Sequence, residues 1–236
     1  MTKASMWLKK RAPGVWNFLY NSPPVARVYS FFMSDIPNAR ARRLLLKRGP
    51  EDLRDVLDAL EGAGIQAFCD FGTLLGVVRE RNFIPFDTDI DISALESDDF
   101  SWAKVETLLA SHGMRKERSF SYDGKITEQR YVFPDGLPID IFLLEPIDEN
   151  SIANYEYFKD RTLDYPDDSQ CSVRKCPNPR IKGLKRTEFL GFQIWIPEDP
   201  ESRLESVYGP GWKTPDPNFQ PDRTKHLLPG FGRISR

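Results

Sequence analysis

The chain has 236 residues, 40% hydrophobic and 12% aromatic, so it can bury a core and is not a disordered polymer. Its 33 Lys+Arg and 35 Asp+Glu nearly cancel to a formal charge of -2, yet residues 1–48 hold ten basic side chains and one acid, leaving 23 basic and 34 acidic residues in the remainder. A basic arm on an acidic body points to an anionic surface as partner and, because the body repels a polyanion, away from nucleic acid.

In chain order, the arm comes first. Residues 1–33 combine Trp7, Trp16, Phe18, Tyr20, Tyr29, Phe31 and Phe32 with charged residues that are all basic. That composition fits either peripheral membrane contact or aromatics packed onto the body. No run approaches the ~20 apolar residues of a membrane span. Asn17, Asn21 and the Pro23-Pro24 pair break up any secretory signal. With three cysteines and no disulfide framework, the expected compartment is a reducing cytoplasm, with the protein peripheral on the inner face of the membrane. We divide the chain into an arm, residues 1–48, and a main domain, residues 49–236.

Regular patterning begins at Pro50. Leu53, Val56, Leu57 and Leu60 have the i, i+3, i+4, i+7 spacing of an amphipathic helix, opened by Pro50-Glu51-Asp52 and closed by Gly62 and Gly64. A strand is expected over Ile65–Phe71, a short helix over Leu74–Glu80 and a strand over Asp89–Ser93. A second helix covers Asp98–Ser111, and its end at His112 suits a cation at the helix dipole. Strands follow at Met114–Phe120, Glu128–Phe133 and Ile139–Leu144, the last two joined by the Asp135-Gly136 turn. Residues Tyr165–Arg186, with three prolines and six basic residues, read as a loop that either holds an anionic acceptor or is solvated surface. Phe189–Ile196 reads as a strand or hairpin, and Pro200–Tyr208 as a short helix ending at Gly209. This order predicts an α+β fold with a mixed sheet covered by helices.

The chemistry is concentrated between Phe68 and Ser93. Asp87, Asp89 and Asp91 alternate with Thr88, Ile90 and Ile92, so an extended strand puts three carboxylates on one face and two isoleucines in the core. Carboxylates ~6.6–6.8 Å apart repel by ~2–3 kcal/mol at an effective dielectric near 20. A hard divalent cation removes that cost. A calcium loop is excluded, because its required Gly and Glu fall on Ile92 and Asp98. Gly72-Thr73, between a strand and a helix, can approach a phosphate, and Arg79 can grip one. Asp140, alone in the apolar stretch Ile139–Leu144, is expected to face the same cleft. Asp70 either serves the site or caps the Gly-Thr turn. Cys171 and Cys176 are half of a zinc site or, by default, free thiols.

A Gly-Thr turn, an Asp-x-Asp strand and a third acid on a neighbouring strand resemble the nucleotidyltransferase superfamily. More specifically, GTLLGVVRERNFIPFDTDIDIS (residues 72–93), PIDIF (138–142) and VYGPGWKTP (207–215) are similar to the signature of the LicD/fukutin-related family. The resemblance covers Asp52 to Pro215 and excludes the arm; Phe86 stands where the commoner form has Trp. It implies a nucleotidyltransferase-like fold and transfer of a phospho-alcohol from a CDP-activated donor to the hydroxyl of a glycan or lipid-linked glycan, with release of CMP. It implies Mg²⁺ or Mn²⁺, two ions, on Asp87, Asp89, Asp91 and Asp140. Asp140 would orient or deprotonate the acceptor, and Gly72, Thr73 and Arg79 would hold donor phosphates. The alternatives are a nucleotidyltransferase or DxD glycosyltransferase using another nucleotide donor, and a catalytically inactive membrane-associated scaffold.

Overall fold

The computed structural model describes residues 23–160, 162–216 and 219–236, with side chains from residue 38 onward. It divides into two compact units, Met1–Ala41 and Arg42–Arg236. The described part of the first unit is helical, and the expected aromatic contacts of residues 1–33 lie outside the residues whose side chains are described.

Helix α1 (Pro23–Gly62) buries Leu53, Val56, Leu57 and Leu60, the spacing expected. It does not start at Pro50. Leu45 is buried as well, so apolar packing on both sides carries the helix through Pro50 despite the hydrogen bond that a proline removes. Gly49 permits a close approach, since a Cβ there would stand 2.7 Å from the Phe83 ring.

Among the described residues ten strands follow: β1 (Ala67–Cys69), β2 (Ile90–Leu95), β3 (Arg115–Tyr122), β4 (Lys125–Val132), β5 (Pro138–Pro146), β6 (Ser151–Phe158), β7 (Gln170–Pro179), β8 (Leu184–Phe189), β9 (Phe192–Pro197) and β10 (Gly232–Ser235). The helices among them are α2 (Phe71–Leu75), α3 (Trp102–Ser111) and α4 (Pro200–Tyr208). Eight strands make one sheet in the order β1-β2-β5-β4-β3-β10-β7-β6, and β5 pairs again with β6. That second pairing returns the sheet to β5, closing six strands into a barrel from which β2 and β1 extend.

The α+β class and mixed sheet are as expected. The correction is that this sheet, beyond β5, is covered by its own closure rather than by helices. Inside the barrel, Thr127 and Tyr157 share a 2.6 Å hydrogen bond. Gly232 is the residue that lets β10 close, because a Cβ there would fall 2.4 Å from Val173 and 2.8 Å from Tyr157. Only β2–β5 is parallel; the other pairings are antiparallel.

The expected loop at Tyr165–Arg186 is also corrected: its centre, Gln170–Pro179, is β7, and its end runs into β8. Strand β10 pairs with β7 only at Gln170 and Cys171, so Pro177 and Pro179 lie beyond it, where a missing N–H costs no ladder bond. The hairpin β8–β9 turns at Leu190-Gly191, both at positive φ, as the twist of a tight hairpin requires. His112 caps α3, its Nδ1 2.9 Å from the Leu108 carbonyl.

Candidate active site

The site is built where β1 turns into α2. Phe71 adopts φ +46, a left-handed conformation that is uncommon for a residue with a Cβ. Two neighbours hold its ring, Phe142 at 4.6 Å between centroids and the Arg203 guanidinium at 5.1 Å. Asp70 beside it is 0% exposed and meets Arg203, 1% exposed, at 2.6 Å. Ser93 Oγ donates to the same carboxylate at 2.7 Å. Of the two roles the sequence allowed Asp70, capping is not the one found. Asp70 lies inside the protein and makes no side-chain cap to α2, tying the turn to α4 instead.

The turn then clamps Asp91 at three points. The Gly72 N–H donates to Asp91 Oδ2 at 3.0 Å, the Asp91 N–H donates to Thr73 Oγ1 at 2.9 Å, and the Asp70 N–H donates to the Asp91 carbonyl at 3.0 Å. Gly72 and Thr73, expected beside donor phosphates, are here engaged with Asp91, and Thr73 is fully buried. A Cβ on Gly72 would lie 3.0 Å from Oδ2 of both Asp87 and Asp91, so glycine is what admits both carboxylates to this corner. After α2 the chain winds through a π-helical turn, Gly76–Glu80, of a kind that recurs at functional sites. It ends at Arg81 with φ +53.

One sequence expectation about the acids is corrected. Strand β2 begins at Ile90, so Asp91 alone is on the strand, while Asp87 and Asp89 lie in the bend before it. Ile90 and Ile92 are both fully buried, as the alternation requires. The acids still meet, because the fold replaces in-strand alternation with cross-strand register. Asp91 pairs with Asp140 across the parallel β2–β5 ladder, and Asp140 pairs with Arg130 across β5–β4.

Arg130 was missed by sequence reasoning. Its Nε donates to Asp140 Oδ1 at 2.7 Å, and its Nη2 reaches both Asp140 Oδ2 and, at 2.8 Å, Asp89 Oδ2. The available signal was weak: a basic residue in an otherwise half-apolar strand opposite PIDIF. Glu128, two residues earlier, adds another acid; burial and then the Asp140 charge hold its carboxyl well above the ordinary range.

The electrostatics divide the four aspartates. Asp89 and Asp140 share the Arg130 cation. Asp87 and Asp91 instead both feel the Asp89 charge. Burial, then the Asp89 charge, pushes Asp87 up to about 7, with Arg79 opposing. Burial followed by Asp89, Asp140 and Asp87 pushes Asp91 well above its ordinary value. Asp140 is also raised by burial, against the pull of Arg130.

Among the described residues no three His, Cys, Asp or Glu side chains are grouped as a ready metal-binding set. What fits a hard divalent ion is the pair Asp87 and Asp91, two half-buried carboxylates converging on one glycine with excess negative charge. Asp89 and Asp140 share one guanidinium between them, so the four acids together keep excess negative charge for a cation to meet.

Next to this corner lies a cleft of about 320 Å³ lined by Gly72, Arg79, Asp87, Tyr208, Trp212 and Phe219, among others. Arg79 Nη1 donates to the Trp212 carbonyl at 3.0 Å and Nε to Glu80 at 2.7 Å, which fixes the guanidinium at the cleft wall. Phe86, 69% exposed, stands beside Asp87 with Arg42 over its ring.

The remaining candidates are placed elsewhere. Arg174, Lys175 and Arg186 of the basic segment pair with Glu156, Glu145 and Glu61. The three cysteines are free thiols.

Residues 64–199 match the family model described as LicD/FKTN/FKRP, nucleotidyltransferase domain. That is more than half of the chain, and the protein belongs to this family. It is 26% identical over 166 residues to the ribitol 5-phosphate transferase FKRP of Mus musculus, covering 68% of this chain and 31% of that protein. The Homo sapiens protein of the same name gives the same figures. Uncharacterized protein T07A5.1 of Caenorhabditis elegans is 28% identical over 188 residues, 75% of this chain and 45% of its own length. The chain thus spans between 31% and 45% of the length of these relatives. No helix of the described residues is long and apolar enough to cross a membrane.

Proposed function

We propose that the protein is a metal-dependent phosphotransferase with a nucleotidyltransferase-like active site. In this reading it moves a phospho-alcohol of the phosphocholine, ribitol phosphate or glycerol phosphate type from a CDP-activated donor to a glycan or glycolipid hydroxyl, and CMP leaves. One observation carries the reading: Asp91 is fixed by the Gly72-Thr73 turn in register with Asp140, while Asp87 converges on the same glycine beside the cleft walled by Arg79. Family membership and the similarity to proteins named ribitol 5-phosphate transferase support it.

Asp87 and Asp91 would hold Mg²⁺ or Mn²⁺, which when bound neutralises charge on the transferring phosphate. The chain's own groups do the rest. Arg79, braced by Trp212 and Glu80, offers a planar fork to the donor phosphates. Gly72 and Thr73 act one step back, fixing the Asp91 carboxylate. Asp140, held by Arg130 on one side, is the acid placed to orient the acceptor hydroxyl and take its proton. Phosphoryl transfer depends on such positioning and charge more than on covalent chemistry. Residues 1–48 are the basic arm of this scheme, with residues 1–33 contacting anionic membrane on the cytoplasmic face; removal of 1–33 is expected to lower binding to anionic liposomes.

The deciding experiment incubates the protein with CDP-choline, CDP-ribitol or CDP-glycerol, Mg²⁺ and glycan acceptors, and measures CMP. Release that disappears in Asp91→Asn supports the proposal; no release with any pairing refutes it.

A further inference from the structure

A second cavity of about 320 Å³ opens on the other side of Tyr208, lined by Asn154, Glu156, Arg174, Asn178, Ser206 and neighbouring residues. It is at the small end of the range for ligand pockets, suited to a single compact group. The ion pairs on its walls are closed within the protein. Arg174 meets Glu156 at 2.8 and 2.9 Å, and Lys225 meets Asp222 at 3.3 Å. Cys176, whose thiol is pushed up to about 12 by burial and the Glu156 charge, stays neutral.

What the cavity offers is carboxamide and hydroxyl. Ser206 Oγ donates to Asn178 Oδ1 at 3.0 Å, and Asn178 Nδ2 donates at 2.8 Å to Asn154 Oδ1 and to the Cys176 carbonyl. The chain ends at Asn154, 2% exposed, whose Nδ2 has no hydrogen-bond partner. A buried donor left unmade costs about 1–3 kcal/mol, a cost that a ligand oxygen reaching it would remove. Tyr208 and Phe219, packed edge to face at 5.3 Å, form the wall shared with the cleft of Arg79 and Asp87.

We infer that this second cavity binds a small, neutral, polyhydroxylated group through Asn154, Asn178 and Ser206. The open Asn154 Nδ2 donor, with the remaining lone pairs of Asn178 Oδ1 and Ser206 Oγ as acceptors, matches the hydroxyls of a polyol or of a single sugar ring. An anion would find the arginine already paired, and a flat apolar group would leave the amides unmatched. The inference deepens the phosphotransferase reading, because both the transferred alcohol and the acceptor carry such hydroxyls, and the two cavities are neighbours across Tyr208 and Phe219.

The test is saturation-transfer NMR on the full chain with ribitol, glycerol, a methyl glycoside or cytidine, without donor or metal. Saturation transfer to a polyol or glycoside is expected. Asn154→Asp, which replaces the orphan donor by an acceptor, and Ser206→Ala are each expected to weaken binding about tenfold, the worth of one hydrogen bond. Asp91→Asn should bind the polyol as the native chain does. If Asn154→Asp does not fold, Ser206→Ala decides alone. Added CDP-ribitol that displaces the polyol assigns the cavity to the donor alcohol; a polyol that stays bound assigns it to the acceptor. Both outcomes uphold the inference. Binding of cytidine alone, of nothing, or equally to both folded variants overturns it. Failure of CMP release with every donor would sink the transfer reading without touching this binding result.

Discussion

Arg130 and Asp140 are directly opposed across β4 and β5, and the guanidinium fork of one embraces the carboxylate of the other while also reaching Asp89. An internal cation thus already sits among the acids. Arg130→Met should leave Asp89 and Asp140 uncompensated, lowering stability by roughly 1–3 kcal/mol in the absence of divalent ions. Added Mg²⁺ should recover stability in the variant more than in the native protein, because binding to the folded state alone stabilises it. Urea denaturation with and without Mg²⁺ measures both; equal Mg²⁺ responses would remove Arg130 from the site.

Gly72 supports a sharper prediction. Its missing Cβ makes room for Asp87 and Asp91 together. Gly72→Ala is expected to push the carboxylates apart and cut turnover at least ~100-fold, the effect of a ~1 Å misplacement of reacting groups. The melting temperature should change little, since the site rather than the core is disturbed. A steady-state assay beside a melting curve checks this, and near-native turnover would mean that the two carboxylates need not converge.

The pH dependence follows from Asp87 and Asp91. Both carboxyls lie above their unfolded values, Asp87 at about 7, so the metal-free folded state holds protons more tightly than the unfolded chain. Stability from these groups is therefore greatest in acid and falls as pH rises from about 4 to about 7. Metal affinity should run the other way, weakening about tenfold per unit below pH 7 as a proton competes for each site. Calorimetric titration with Mg²⁺ at pH 6, 7 and 8 would show it. Asp87→Asn should flatten the metal-free stability profile, and a profile unchanged in the variant would contradict this account.

The Asp70–Arg203 pair is buried to 0% and 1% exposure and holds the turn at Phe71-Gly72 to α4. Breaking a buried pair from one side strands a charge, at a cost of about 3–5 kcal/mol. Arg203→Met should reach that range in denaturant unfolding. The double change Asp70→Asn with Arg203→Met should recover a large part of it, and simple additivity of the two single changes would show the pair to be uncoupled.

Legibility in the sequence followed range of interaction. The helix face Leu53–Leu60 and the buried Ile90 and Ile92 were readable because their periodicity is local. The acids Asp87, Asp91 and Asp140 were readable as a set because their residue type is costly anywhere but a site. Arg130 was not, because only pairing between β4 and β5, far from any local pattern, places it among them. Strand β7 was hidden by prolines that are harmless only where β10 stops pairing. Barrel closure is a long-range event decided by Gly232, which no neighbouring residue announces. Asp70 looked like part of the turn's chemistry until its partner, 133 residues away in sequence, was seen.

The parallel register that sets Asp91 opposite Asp140 has a consequence for how this domain can vary. The two strands meet at those residues whatever the length of the connection between them, residues 96–137. The loops of that connection, outside the β4 strand that carries Arg130, can lengthen or shorten without moving the acids, while one residue inserted within either strand would turn a carboxylate to the opposite face of the sheet. Divergence among relatives that keep this chemistry should therefore accumulate as length changes between the strands, leaving the strands themselves uniform in length.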